Sequence, residues 1–201
     1  MGRTASFDTP IVVTAARDLF WDRGFEAASL ADLERVTGLN RSSLYHAFGS
    51  KRGLFDAAVA DYLETVIRPR LRPLLAESAG RVALLEYYAG LSLAVASLPD
   101  DSPRRGCLLV NCAAGLAGHD ALARKVVDDY RAELTAALRN ALAGAAAESE
   151  PGTDAAPTVL DERARTLASL SMSVMLLARV NRDESLALLA TATAQVQSWH
   201  P

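Results

Sequence analysis

Apolar positions along the chain recur three and four residues apart, and the breaks between these rows divide it into a series of helices. Thr9 before Pro10 reads as an N-cap with proline in the first turn, and Val12, Ala15, Ala16, Leu19 and Phe20 follow at helical spacing until Gly24. Ser29 with Asp32 forms a capping-box arrangement, Leu30, Leu33 and Val36 supply the buried side, and Gly38 is placed to stop that helix. Asn40 caps a very short third helix ending near Phe48 and Gly49. Ser50 then caps a fourth that carries Leu54, Phe55, Ala58, Val59 and Leu63, until Pro69 and Pro73 end or kink it.

Beyond those prolines, Leu84, Leu85, Tyr88, Leu91 and Val95 predict a fifth helix closed by a turn from Pro99 to Pro103. Further helices are expected over roughly 105–117, 120–146, 158–180 and 184–198, about nine in all. No segment alternates as a strand, so the fold class is all-α. Ala143 to Pro157, rich in Ala, Glu, Gly and Pro, reads as a mobile loop. The expected division is a head over 1–55 and a body over 56–201.

The turn Thr37-Gly38-Leu39 suits a helix-turn-helix, and the third helix strengthens that reading. Leu44 and Phe48 face inward, while Ser42, Ser43, Tyr45 and His46 project away with Arg41 on the flank. Hydroxyls, an aromatic and a basic side chain suit a major groove, where small groups approach base edges and longer ones reach phosphate. Lys51 adds a cation at a helix start that also offers free N–H groups.

Charge limits how that contact is made. The chain of 201 residues carries a net −3, and its first 55 residues hold seven Lys/Arg against six Asp/Glu. DNA binding must therefore be local and not a diffuse basic coat. Only Cys107 and Cys112 are present, on different faces of an expected helix, which argues against a disulfide framework and for a reducing cytoplasm. No signal segment or membrane-length apolar run is read. The cysteines and His119 lack zinc-ligand spacing, so neither metal nor cofactor is expected.

Taken together, Ala15 to Phe20, Arg23-Gly24-Phe25, Leu30 to Leu33, Gly38-Leu39 and the run Leu44 to Lys51 resemble the TetR family signature over residues 11–55. The resemblance implies a three-helix DNA-binding head on a divergent helical body that binds a ligand and dimerises. Carried over by position, Ser29 resembles the phosphate-contacting N-cap, Tyr45 and His46 the backbone contacts, Lys51 the phosphate-binding lysine, and Arg41, Ser42 and Ser43 the base-reading segment. Ala31 departs from the pattern, standing where many members are basic. The implied partners are operator double-stranded DNA, an unknown small-molecule inducer and a second copy of the chain.

In the body, Tyr87, Tyr88, Cys107, Asn111 and Met175 place polar or adaptable groups on apolar helices and are candidate ligand contacts. Leu167, Leu170, Val174 and Leu177, with Leu186 and Leu189, exceed what one partner face requires and are candidate dimer contacts. Cys107 admits two readings. Arg104 and Arg105 at a helix start would lower its pKa, and Gly106-Cys107-Leu108 with Asn111 resembles a subgroup, some of whose members sense electrophiles through a cysteine there. Its neighbours Leu108, Leu109 and Val110 would instead raise it, as in a buried thiol. A cysteine enzyme with His119 as base lacks a third, orienting group.

Overall fold

The computed structural model describes residues 7–148 and 156–199, and all regular structure among them is helical. The segments are α1 (Thr9–Ala27), α2 (Leu30–Thr37), α3 (Arg41–Phe48), α4 (Lys51–Tyr62), α5 (Arg68–Leu75), α6 (Arg81–Ser97), α7 (Leu108–Ala114), α8 (Ala121–Glu148), α9 (Pro157–Leu177) and α10 (Arg182–Trp199). A π-helical segment, Leu63–Ile67, joins α4 to α5 without a break, and a 3₁₀ turn, Leu116–Gly118, precedes α8. The ten α segments therefore make nine rods among the described residues.

Local chemistry sets most boundaries. Ser29, Asn40 and Ser50 each accept a hydrogen bond from the N–H three residues on, and Gly38 ends α2 in the left-handed region. At α1 the cap is Asp8, not Thr9: its carboxylate accepts from the Ile11 N–H, leaving Thr9 and Pro10 inside the first turn. Gly24 does not end α1 but kinks it, at φ 75°, and the helix resumes to Ala27.

Three other sequence expectations are corrected. The helical run does not stop at Pro69 or Pro73 but continues through both to Leu75, Pro69 following directly on the π winding in which the Arg68 N–H bonds back to the Leu63 carbonyl. The segment from residue 105 is not helical until Leu108, since Gly106 takes φ 75° and a Cβ there would stand 2.6 Å from the Met175 carbonyl oxygen. Ala143 to Glu148 belongs to α8 rather than to a loop, and the rest of that expected loop, short of Ala156, lies outside the described residues.

The core is continuous from head to body. Phe20, Phe25 and Phe55 meet at ring distances of 5.1 to 6.2 Å, binding α1 to α4, and Leu33 and Leu44 pack α2 and α3 onto them. Below, Tyr62, Leu84, Tyr88, Leu134, Leu138, Leu167 and Val196 fill the space among α4, α6, α8, α9 and α10. Burying each such side chain is worth about 1.5–3 kcal/mol. Trp21 and Tyr62, 4.8 Å apart edge to face, stand where the two regions meet.

Candidate nucleic-acid interface and ligand cavity

The outer face of the head is built from the start of α3 and the start of α4. Leu44 is buried, Ser43 and Tyr45 are half-buried, and Arg41, Ser42 and His46 are exposed. Asn40 accepts from the Ser43 N–H at 2.9 Å, and the Glu34 carboxylate accepts from the Arg41 N–H, so the beginning of α3 is anchored at its main chain while its side chains stay outward. The Arg41 guanidinium lies over the Tyr45 ring at 5.3 Å. Lys51 stands 4.6 Å over the Phe25 ring, which holds its ammonium at the N-terminus of α4.

Charge pairing separates the cations of this region. Arg17 pairs with Asp18 and Asp61, Arg23 and Arg35 with Asp32, and Arg52 with Asp56 and Asp120. Arg41 and Lys51 have no carboxylate partner among the described residues of the head. Ser29 is differently placed: it is exposed, but its hydroxyl donates to Asp32 at 2.7 Å. That bond, with Arg35 and Arg23 nearby, holds the Asp32 carboxyl down to about 2. A phosphate would have to compete for the Ser29 hydroxyl, whereas the Ala31 position is exposed without a charge to offer.

Within the body, Tyr87, Cys107 and Met175 come together with Tyr62, Tyr130 and Ser171 around a cavity of about 20 Å³. A larger one of about 260 Å³ adjoins it, between α1, the π segment, α6 and α9, with Arg70 and Met175 in both walls. Tyr88 is not part of either wall. It is fully buried, its hydroxyl within hydrogen-bond distance of the Leu167 carbonyl at 3.2 Å and of the Ser171 hydroxyl at 3.3 Å.

Asn111 is elsewhere too. It borders a cleft of about 420 Å³ between the head, α7 and α9, and donates to the Trp21 carbonyl at 3.2 Å. Sequence reasoning did not single out Trp21, Tyr62, Arg70 or Tyr130, although a tyrosine in the apolar stretch of α8 is a signal of the kind used for Tyr87.

Burial decides the cysteine question. Cys107 is 1 % exposed, and desolvation pushes its thiol up against the opposing pull of the Tyr62 hydroxyl. Arg104 is turned to Asp18 and Arg105 to the Ala178 and Asp100 carbonyls, so neither guanidinium serves the thiol. Cys112 is pushed up to about 11 by the same desolvation. His119 is 67 % exposed and 3.8 Å from Glu26, whereas Cys107 is buried. Among the described residues no group of three or more His, Cys, Asp or Glu is placed to hold a metal, and no helix is long and apolar enough to cross a membrane.

Of the six leucine and valine positions read as a dimer seam, Leu167, Val174 and Leu189 are fully buried within the protomer. Leu170, Leu177 and Leu186 are half-buried. The exposed positions of α9 and α10 include small residues, Ser169 and Ser173 on one and Ala187, Ala190 and Ala194 on the other, with Leu176 also 47 % exposed on α9. Small side chains let helices approach closely, so the surface left for a partner is flatter than leucine rows suggest.

Known proteins bear on this geometry. The sequence pattern defining the bacterial regulatory proteins of the tetR family matches residues 12–58. The uncharacterized HTH-type transcriptional regulator YezE of Bacillus subtilis is 30% identical over 184 residues, spanning 91% of this chain and 92% of that protein. HTH-type transcriptional repressor ComR of Escherichia coli is 35% identical over 111 residues, 55% of this chain and 51% of ComR. A cysteine mutant of the TetR family regulator CifR, solved with a 26-bp double-strand operator DNA, aligns over 96% of this chain and 98% of its own with a TM-score of 0.76 and 32% identity. With the head matched and the body aligned end to end, the chain belongs to the tetR family of bacterial regulatory proteins.

Proposed function

We propose that the protein is a repressor that occupies a pseudo-palindromic operator as a homodimer and leaves it when a small molecule enters the body. The observation that carries the reading is the contrast in the head between its paired arginines and the two unpaired cations, Arg41 and Lys51, on the face that presents Ser42, Tyr45 and His46. Unpaired cations that are already positioned release counterions from phosphate without first breaking an internal ion pair. Lys51, Tyr45 and His46 take the backbone, and Arg41, Ser42 and Ser43 approach base edges. Ser29 contributes through the main chain at the start of α2.

Head and body divide near residue 55, with α4 passing from one to the other. The last two helices pair with those of a second copy, so that two heads face half-sites a helical turn or a multiple apart. A ligand between α1 and α9 bears directly on Trp21 and Arg17 of the head, and ligand and operator then weaken each other reciprocally. Catalysis is not part of this reading, because the buried thiol has no base beside it. Work on chromosomal DNA places the protein in the cytoplasm.

The test is footprinting on the DNA flanking its own gene at fixed salt. Protection of one dyad-symmetric site at two chains per site is the expected result; uniform coating of any duplex rules the reading out.

A further inference from the structure

The cavity of about 260 Å³ is lined by four arginines, Arg17, Arg70, Arg104 and Arg105, among apolar side chains. Three of the four are spent on the protein. Arg17 holds Asp18, Asp61 and the Thr65 hydroxyl, Arg104 holds Asp18, and Arg105 holds the carbonyls of Ala178 and Asp100. Arg70 has no hydrogen bond or ion pair among the described residues.

Arg70 is also the residue at which three hollows meet. It lines the small cavity walled by Tyr62, Tyr87, Tyr130 and Cys107, and a third of about 200 Å³ beside Pro73 and Gly90. Its charge reaches the interior, since it pulls down on the Tyr62, Tyr87, Tyr130 and Cys107 protons against the burial that raises them. Glu86 borders the third hollow but makes no ion pair with it. A second donor is unmet as well: the indole Nε1–H of Trp21, a residue only 5 % exposed, has no acceptor. Trp21, Val66, Val95, Leu98 and Met175 supply most of the remaining wall.

We infer that the effector is an organic acid with an apolar chain or ring, whose carboxylate is held by Arg70 while its apolar part lies against Trp21, Val66 and Met175. The inference rests on the ligand-released reading above and gives it a chemical class. A planar guanidinium matches a carboxylate with two parallel hydrogen bonds, and leaving it half-buried and unpaired forgoes that energy. With one unspent cation and a mostly apolar wall, the site balances a single charge and leaves a phosphate dianion short of donors. The place is suited to signalling, because Arg70 lies in the first turn of α5, three residues past the π-helical segment, and Arg17 and Trp21 of α1 are also in the wall.

The experiment titrates the dimer, with Trp199→Phe leaving Trp21 as the reporter tryptophan, against octanoate and benzoate and against their neutral amides, octanamide and benzamide. Binding is read by Trp21 emission and calorimetry, and operator binding is followed separately by gel shift. At least one acid should bind tenfold or more tightly than its amide and release operator. Arg70→Gln should keep operator binding and lose the preference, and Arg70→Lys should keep part of it.

The assignment is overturned if no acid binds, if amide and acid bind alike, if a bound acid leaves operator affinity unchanged, or if Arg70→Gln keeps the preference. Should Arg70→Gln not fold, the acid-to-amide ratio of the wild type and of Arg70→Lys decides. Failure of the unliganded wild type to bind any operator would overturn the repressor reading instead.

Discussion

The Arg179 guanidinium, in the turn after α9, reaches 158 residues back along the sequence to donate to the Trp21 carbonyl at 2.9 Å, and also donates to that of Asp22 at 2.7 Å. Both carbonyls lie just before the Gly24 kink, where the backbone of α1 leaves helical φ/ψ. Asn111 adds a second side-chain donor to the Trp21 carbonyl. Main-chain oxygens thus fasten the head to the body at this point, beside the charge pairs Arg104–Asp18 and Arg52–Asp120.

Removing that fastening should loosen the head alone. Arg179→Ala is expected to cost about 1.5–3 kcal/mol, the range for hydrogen bonds to charged groups, read as a shift in urea midpoint. Amide exchange should quicken near the end of α1 while α8 stays protected; uniform quickening would refute a local tie.

Arg41→Ala and Lys51→Ala should act differently on DNA. Loss of Lys51 should weaken every duplex alike and lower the slope of log affinity against log salt by about 0.9 for one phosphate contact. Loss of Arg41, if it reads a base edge, should change preference at one base pair by about 1–3 kcal/mol. Identical behaviour of the two variants would show that the roles are assigned wrongly.

Gly53 has no room for a side chain, because a Cβ there would stand 2.0 Å from the Phe48 carbonyl oxygen at the end of α3. Gly53→Ala must push α3 from α4, at about 1–3 kcal/mol of overpacking. Operator affinity should fall at least tenfold with helix content by circular dichroism unchanged, and retained affinity would mean that the position of α3 is not critical.

Both thiols should be sluggish at neutral pH. A raised pKa keeps the proton on, so at pH 7.5 Cys107 and Cys112 stay neutral and alkylation by iodoacetamide should run roughly ten- to a hundredfold slower than for a free thiol. The rate at Cys112 should climb as pH approaches 11. Rapid labelling of either at pH 7.5 would contradict the burial described.

Neighbouring residues on α10 separate fold from assembly. Ala190 is exposed and Leu189 fully buried in the protomer. Ala190→Arg should sediment as a folded monomer, whereas Leu189→Arg should cost several kcal/mol by burying a charge and should unfold the chain. A dimeric Ala190→Arg would move the proposed interface elsewhere.

What could be read from the sequence was local. Ser29, Asn40 and Ser50 announce helix starts because a cap acts within three residues, and Leu44 with Phe48 shows which side of α3 turns inward. The exposed remainder of α3 follows from that alone. At α1, Asp8 and Thr9 are both competent caps, and only the fold chooses.

Arg70 was not legible, because being unpaired is a property of the whole molecule. Asp18 is claimed by Arg17 and by Arg104, 86 residues away, and only then is Arg70 left over. The apolar rows of α9 and α10 were plain, yet periodicity does not say whether a row meets its own body or another copy. Leu167, Val174 and Leu189 meet their own.

The π-helical segment between α4 and α5 has a consequence for how such a chain can be retuned. A stretch wound i to i+5 accommodates one residue more than an α-helix of the same span. Deleting one residue from Leu63–Ile67 would therefore restore α-helical winding and leave the flanking helices nearly in phase, whereas deleting one from α4 or α5 would turn everything before it by about 100° relative to everything after, with a shift of about 1.5 Å along the axis. The segment thus works as a length buffer: one residue can be lost there without re-aiming α4 against α5, a tolerance that the regular helix on either side lacks.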